Sequence, residues 1–442
     1  MSTLAVVSLG CAKNLVDTEI MLGQLHQSGW ELTEDFSKAE MILVNTCGFI
    51  QTAKEESINH ILAMAEYKKP GVGRCRKLVV AGCLVQRHLS ELVPEIPEVD
   101  NWIGLGEIGR ISQLINQEQS GAFQGKPREE PFLNNENLPR YQVTLKHTAY
   151  VKIAEGCNHC CSYCAIPIIK GKFRSRSLES LLAEIKSLVE RGVAEINLIA
   201  QDITKYGSDL NPRINLRILL EEIMDKANPP WIRLLYAYPS GIDHDLLQLM
   251  ADNSSICKYL DLPLQHINSR ILKLMNRPES SADIEEKIRM IRETVPGIAL
   301  RTTFLVGFPS ETEAEFEELL GFVEAGHFDH AGVFAYSREE GTRAYGIEPQ
   351  IEEAVKEERR HKLLAAQKKV SARYLAGQIH QEQLILVDSI LPDRTGVGRT
   401  QGLAPEVDGV VYLRNYQGPS GRFTKGLING SDEYNLFAEE IF

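Results

Sequence analysis

The 442-residue chain is predicted to be an α/β protein in three parts: an N-terminal open parallel α/β sheet over residues 1–140, a central partial (β/α)6 barrel over 141–374, and a small all-β barrel over 375–442. Three observations predict this. Short apolar runs alternate with helix-period stretches as far as about residue 374, the pattern of parallel βαβ units. The last 66 residues lose helical period and read as short strands broken by Gly turns. At 43% hydrophobic and 24% charged residues, the composition is that of a globular chain long enough to bury several cores.

In the first part, strand-like runs at Leu4–Leu9, Met41–Val44 and Leu78–Ala81 alternate with helical stretches at Leu15–Gln27 and Ile50–Ala65. Each strand runs into a cysteine: Ser-Leu-Gly-Cys11, Val-Asn-Thr-Cys47 and Val-Ala-Gly-Cys83, at two equal intervals of 36 residues. The carboxyl ends of strands in an open parallel sheet share the edge where ligands bind. One cysteine beside a glycine is ordinary buried packing. Three at equivalent strand ends predict a metal centre, with Cys11, Cys47 and Cys83 binding a cluster that keeps one iron free. Cys75, in Gly-Arg-Cys-Arg-Lys, and Cys257 have no partner pattern and are read as free thiols, Cys75 at the surface.

In the second part, strands are predicted at Ala149–Ala154, Ile196–Ala200, Ile232–Tyr236, Tyr259–Leu262, Leu300–Leu305 and Ala331–Phe334, separated by amphipathic helices such as Leu178–Arg191 and Ile284–Thr294. Six units leave a barrel two short of closure, able to admit a bulky substrate at its side. The loop after the first strand carries Glu-Gly-Cys-Asn-His-Cys-Cys-Ser-Tyr-Cys. Cys157, Cys161 and Cys164 can hold three irons of a cubane and leave the fourth open to an outside ligand such as S-adenosylmethionine. Cys160 also permits a four-thiolate zinc knuckle or paired Cys-x-x-Cys redox units, although adjacent cysteines converge poorly on one tetrahedral ion. Tyr163, Gln201 and Gly307 are the candidate contacts to S-adenosylmethionine. Asp202 and His266 could line the same mouth, or could serve in turns and caps. Arg174 and Arg176 are read as solvated arginines of a helix-start loop rather than partners of a carboxylate near the cluster.

The third part follows a charged helix at Ile351–Tyr374. Small β-barrels often bind RNA, but residues 377–442 hold nine acidic and five basic side chains. A net charge of −4 there, and of −12 overall, repels phosphate and favours a basic protein partner. The N-terminal Leu-Ala-Val-Val-Ser-Leu-Gly-Cys lacks the positive region and apolar length of a lipoprotein signal, and no run approaches a membrane span. A cytoplasmic chain is expected, in which nine cysteines serve as metal ligands rather than disulfides.

The Cys157 run followed by Ala-Ile-Pro resembles the radical-SAM enzymes. Together with Ser-Leu-Gly-Cys-Ala-Lys-Asn-Leu-Val-Asp-Thr-Glu at residues 8–19 and Asn-Thr-Cys-Gly-Phe-Ile at 45–50, it resembles the methylthiotransferases over essentially the whole chain. The Ala-Lys-Asn-Leu-Val-Asp stretch is similar to the branch that modifies an aspartate of the twelfth small-subunit ribosomal protein. The resemblance implies two 4Fe-4S clusters, a radical-generating one on Cys157, Cys161 and Cys164 and an auxiliary one on Cys11, Cys47 and Cys83. It further implies S-adenosylmethionine as cofactor, an electron donor, a TRAM domain at the C-terminus for substrate recognition, and methylthiolation at the aspartate β-carbon. Cys160 departs from the family pattern and its role stays open. Two other readings stand beside this one: methylthiolation of tRNA by the same chemistry, and a non-catalytic iron-sulfur electron carrier.

Overall fold

The computed structural model describes residues 2–115 and 132–441. The N-terminal sheet is built from β1 (Ser2–Ser8), β2 (Trp30–Leu32), β3 (Met41–Thr46), β4 (Lys77–Gly82) and β5 (Asn101–Ile103), all parallel, in the order β2-β1-β3-β4-β5. The three predicted strands form its centre. β2 and β5, at three residues each, are edge strands too short to show a period in the sequence. β3 is buried at every position, as expected where helices cover both faces of a parallel sheet.

The central part opens with β6 (Thr148–Lys152), followed by a two-residue hairpin of β7 (Ala154–Glu155) and β8 (Arg174–Ser175) that closes the base of the cysteine loop. The strands β9 (Glu195–Ile199), β10 (Trp231–Leu234), β11 (Ile256–Asp261), β12 (Ala299–Val306) and β13 (His330–Ala335) then pair in parallel, each beside its predecessor, after β6 pairs with β9. This is the predicted open barrel of six units. Its strands and inward helix faces share one apolar core that includes Val151, Leu198, Leu234, Leu260, Phe304 and Val333.

The chain continues through the helix Glu353–Ala376 into β14 (Glu382–Ile390), β15 (Gly396–Arg399), β16 (Val411–Arg414), β17 (Phe423–Ser431) and β18 (Leu436–Ile441), which close in the order β14-β15-β16-β18-β17. The helix is more buried than its charge suggests: Lys356 donates to the Tyr336 carbonyl, and Arg359 pairs with Glu311 at 2.8 Å.

The two outer parts cap opposite mouths of the barrel. The N-terminal sheet lies over the C-terminal mouth, fixed by Lys152 with Asp17 at 2.5 Å, Arg140 with Glu184 at 2.7 Å, and Arg87 with Glu339 at 2.7 Å. The small barrel lies over the N-terminal mouth, where its contacts fall on Glu195 and His330 at the start of β9 and β13 and on Arg233 and Tyr259 further along β10 and β11. Arg399 reaches Glu195 at 2.7 Å and Arg233 donates to the Gln401 carbonyl, while the Tyr259 hydroxyl donates to Asp408 and His330 lies against the Gly402 carbonyl.

Two expectations fail here. Cys75 is buried, 5% exposed, with its thiol donating to the Lys77 carbonyl at 3.4 Å, because the flanking charges point outward while the sulfur joins the core on Ile42 and Leu78. Arg176 is not solvated: it is 1% exposed, pairs with Glu184 and donates to Ser180 Oγ at 2.9 Å, locking the start of the helix Leu178–Glu190 onto the barrel wall.

Candidate two-cluster active site

The strands of the N-terminal sheet end together, so their cysteines meet. Cys11 caps the helix Ala12–Gln27 and Cys83 opens the helix Cys83–Glu95, placing both thiols at helix N-termini. Gly10 and Gly82 stand at φ +92° and +105°, a region open to glycine at little cost. A Cβ on Gly10 would sit 3.2 Å from the Cys47 sulfur, so glycine is what lets these two loops approach.

Asn14, one turn beyond Cys11, ties the three loops together. Its amide donates to the carbonyls of Leu9 at 3.1 Å and Thr46 at 2.9 Å, and its Oδ1 accepts from the Cys83 thiol at 3.4 Å. Asn45 holds the same turn by donating to the Asn14 carbonyl at 2.8 Å. Ser57 exchanges hydrogen bonds with the Cys47 backbone at 3.0 and 2.9 Å. Asn14 and Asn45 fall within the stretches at 8–19 and 45–50 that carry the resemblance, but the sequence assigns no role to either, and Ser57 lies outside both.

The second triad lies in the loop between β7 and β8. Gly156, at φ +81°, leaves room for the Lys172 carbonyl, and Cys157 N–H donates to the Gly171 carbonyl at 3.1 Å. Ser162 anchors the loop tip to Leu274 and Met275. Cys160 adopts φ +51°, is exposed and does not line the cavity that the other three share, while its carbonyl accepts from Asn276 at 3.1 Å.

Both triads line one cavity of about 420 Å³ at the C-terminal mouth. All six predicted ligands are brought together there, with Tyr163 and Gln201. Gly307 does not line it: its Cβ position is taken by the Lys356 side chain, which accounts for glycine at φ +69°. Asp202 works beneath the loop, accepting from Thr204 N–H at 2.9 Å as a cap and holding His159 Nε2 at 2.6 Å. His159 in turn stacks on Tyr238, centroids 3.8 Å apart. His266 is fully buried outside the cavity lining, its Nδ1 accepting from Asn268 N–H.

Four charges are packed together at the cavity, and of these Lys170 lines it. Lys152 contacts Asp17 at 2.5 Å and Glu155 at 2.7 Å, and Lys170 lies 3.5 Å from both carboxylates. For Lys170 burial opposes the charge, yet Glu155, Cys83, Asp17 and Cys11 together outweigh it and hold the ammonium well above the ordinary lysine range. Glu155 also fixes Gln201 by accepting from its amide at 2.7 Å. That orientation leaves Gln201 Oε1 buried and unpartnered at the cavity, an acceptor suited to an ammonium group of a ligand.

The donor set fits iron-sulfur clusters. Burial pushes Cys83 and Cys164 up to about 12 and Cys157 up to about 11, so as free thiols they stay protonated and inert.

An open six-unit barrel with a three-cysteine loop after its first strand defines a radical-SAM enzyme. The comparisons with known proteins agree: residues 151–323 match the radical SAM superfamily, 379–441 a TRAM domain, and 3–104 a family described as uncharacterized protein family UPF0004. Among solved structures, the chain is similar to TsrM of Kitasatospora setae, a radical S-adenosylmethionine methyltransferase, with a TM-score of 0.56 at 18% identity, covering 78% of this chain and 77% of that one. At that identity the likeness establishes fold alone. The ribosomal protein uS12 methylthiotransferase RimO of Geotalea uraniireducens is 47% identical over 440 residues, covering 99% of this chain and 98% of the relative. That of Geobacter sulfurreducens is also 47% identical, with the same coverage. The chain belongs to this family of radical-SAM methylthiotransferases.

Proposed function

We propose that the protein inserts a methylthio group at the β-carbon of an aspartate of ribosomal protein uS12, using two 4Fe-4S clusters and S-adenosylmethionine. The observation that carries this reading is the shared cavity: a radical enzyme needs one cysteine triad, and here a second triad faces it across the space in which a substrate side chain would sit. When bound, the clusters and S-adenosylmethionine supply radical formation at an unactivated carbon and the sulfur to be transferred.

The chain's own residues bind and orient. Cys157, Cys161 and Cys164 hold the radical-generating cluster, and Arg277 backs it, its Nη1 3.9 Å from the Cys161 sulfur. Cys11, Cys47 and Cys83 hold the auxiliary cluster on loops fixed by Asn14. Gln201 offers its free oxygen to the amino group of S-adenosylmethionine, and Tyr163 lines the same wall. Phe49, Ile166, Ile169 and Phe334 give the cavity its apolar lining, which keeps water from a reactive carbon radical.

The acidic small barrel lies on the far mouth, too remote to touch the reacting residue, and serves to hold the rest of a basic ribosomal protein. An electron donor reduces the Cys157 cluster. Among the described residues no helix is long and apolar enough to cross a membrane.

The test is anaerobic reconstitution followed by incubation with uS12 and, in parallel, with tRNA. Mass spectrometry is expected to find the methylthio adduct on uS12 alone. In Cys11→Ala protein the adduct should be lost while one cluster and S-adenosylmethionine cleavage persist. An adduct on tRNA, or an adduct formed by Cys11→Ala, would overturn the reading.

A further inference from the structure

Lys13 is a buried cation without an anion. It is 7% exposed and its ammonium lies 3.2 Å from the centroid of the Tyr236 ring, donating one hydrogen bond, to the Ala200 carbonyl at 3.3 Å. An ammonium has three N–H donors, so one carbonyl leaves it under-satisfied. Among the described residues no carboxylate lies within ion-pair reach of it, and no aspartate or glutamate lines the cavity it faces. Burying a charge in this way is costly unless a partner arrives.

Of the other two fixed cations of the cavity, one is ion-paired and the other is held by a sulfur, a carbonyl and the Tyr238 ring. Lys170 is shared between Asp17 and Glu155, and Arg277 faces the Cys161 sulfur and donates to the Pro263 carbonyl. Tyr236 is also held in an unusual state: its φ of +64° is rare for an aromatic residue, and it sets the ring beneath the ammonium. Backbone in that region costs free energy and concentrates at sites where it places a group.

The geometry points to Lys13 as a specificity-determining residue whose ammonium receives the side-chain carboxylate of the substrate aspartate, with the Tyr236 ring as its platform. The inference rests on the proposed reaction. It explains how a cavity between two cysteine triads selects an acidic side chain: the carboxylate completes a cation held only by one carbonyl and a ring face, while the adjacent β-carbon is presented between the triads. An asparagine of nearly the same shape brings no charge and leaves the cation unmatched.

The same ammonium could take the carboxylate of S-adenosylmethionine instead, and the experiment separates the two sources. Cluster-loaded full-length protein is titrated with uS12 bearing either aspartate or asparagine at the modified position, and separately with S-adenosylmethionine, both followed by calorimetry. Wild type is expected to prefer the aspartate form roughly ten- to a hundredfold, the range of one charged hydrogen bond. Lys13→Met should abolish that preference, and Lys13→Arg should restore most of it. Iron content and S-adenosylmethionine affinity should be equal in all three. The inference is overturned if wild type binds both forms of uS12 alike, if Lys13→Met keeps the preference, or if Lys13→Met weakens S-adenosylmethionine instead. If wild type neither binds nor modifies uS12, the functional reading itself has failed, an outcome distinct from binding and modification without aspartate preference.

Discussion

The two mouths of the barrel are both charged and both covered, yet they are built on opposite rules. At the N-terminal mouth charges close on one another: Glu195 accepts from Arg233 at 2.9 Å and Arg399 at 2.7 Å, Arg399 contacts Asp388 at 2.7 Å, and Asp388 meets His147 at 2.9 Å. At the C-terminal mouth a cation, an amide oxygen and six thiols face a cavity with no carboxylate among its lining residues. A satisfied network fastens two domains, and an unsatisfied one waits for ligands. The difference teaches where to look for chemistry in a protein whose buried charges are numerous: at those that lack partners.

The largest expected effect comes from opening the closed network. Glu195→Ala leaves the guanidinium groups of Arg233 and Arg399 buried against each other, and breaking a buried pair from one side costs about 3–5 kcal/mol. Denaturant unfolding should show that loss, with limited proteolysis releasing the C-terminal barrel first. A loss below about 1 kcal/mol would mean that the small barrel is held by its apolar contacts, such as Trp231 on Phe423, and not by its charges.

A second test uses two buried groups behind the C-terminal mouth that titrate in opposite senses. Burial lowers His266 from 6.5 to about 3 and raises Glu311 from 4.5 to about 7 despite Arg359 beside it. The depressed histidine gives stability that is present above pH 6.5 and lost as pH falls toward 3. The raised carboxyl gives stability that is present below pH 4.5 and lost as pH rises through 7. Between pH 4.5 and 6.5 the two slopes oppose. Glu311→Gln removes one of them together with the carboxyl 3.9 Å from His266 Nε2, and unfolding free energies from urea melts at pH 7.5, 6 and 5 should then fall by up to about 1.4 kcal/mol per pH unit below the histidine's ordinary range. His266→Asn should tilt the curve the other way. Parallel curves for wild type and both variants would break the comparison.

How much of this was legible in the sequence follows from the same contrast. The strands, the open barrel and the six cysteines are carried by local pattern and spacing, so they could be read directly. Lys13, Asn14 and Arg277 could not, because each acts through partners far along the chain: Lys13 through Ala200 and Tyr236, Asn14 through Thr46 and Cys83, Arg277 through Cys161. Arg176 and Cys75 misled for a related reason. A charged or charge-flanked residue looks solvated until a carboxylate or a core from another segment is known to meet it, as Glu184 meets Arg176. Gly307 pointed to a cofactor through its residue type, whereas the Lys356 side chain explains it.

Asn14→Ala tests whether the open mouth still depends on one fully bonded residue. It removes two donated hydrogen bonds and the acceptor of the Cys83 thiol, and leaves two buried carbonyls exposed to that loss, worth about 1–3 kcal/mol. The auxiliary cluster should be lost or weakened in iron analysis while the Cys157 cluster reconstitutes normally. Equal loss of both clusters would show that the two triads are one cooperative unit.

The smallest effect separates ring from hydroxyl at Tyr238. Its ring stacks on His159 with an interplanar angle of 7°, and the Arg277 guanidinium lies 4.4 Å from the ring centroid, so one aromatic plane steadies the loop of Cys157 and the cation behind Cys161. Its hydroxyl is buried without a partner. Tyr238→Leu should therefore cost about 1 kcal/mol of aromatic and cation-π contact. Tyr238→Phe, which deletes an unsatisfied polar group and keeps the plane, should cost nothing in denaturant unfolding. The opposite ranking, with phenylalanine worse than leucine, would mean that the hydroxyl has a partner when the site is filled, and would move Tyr238 from the supporting loop into the ligand-binding wall of the open mouth.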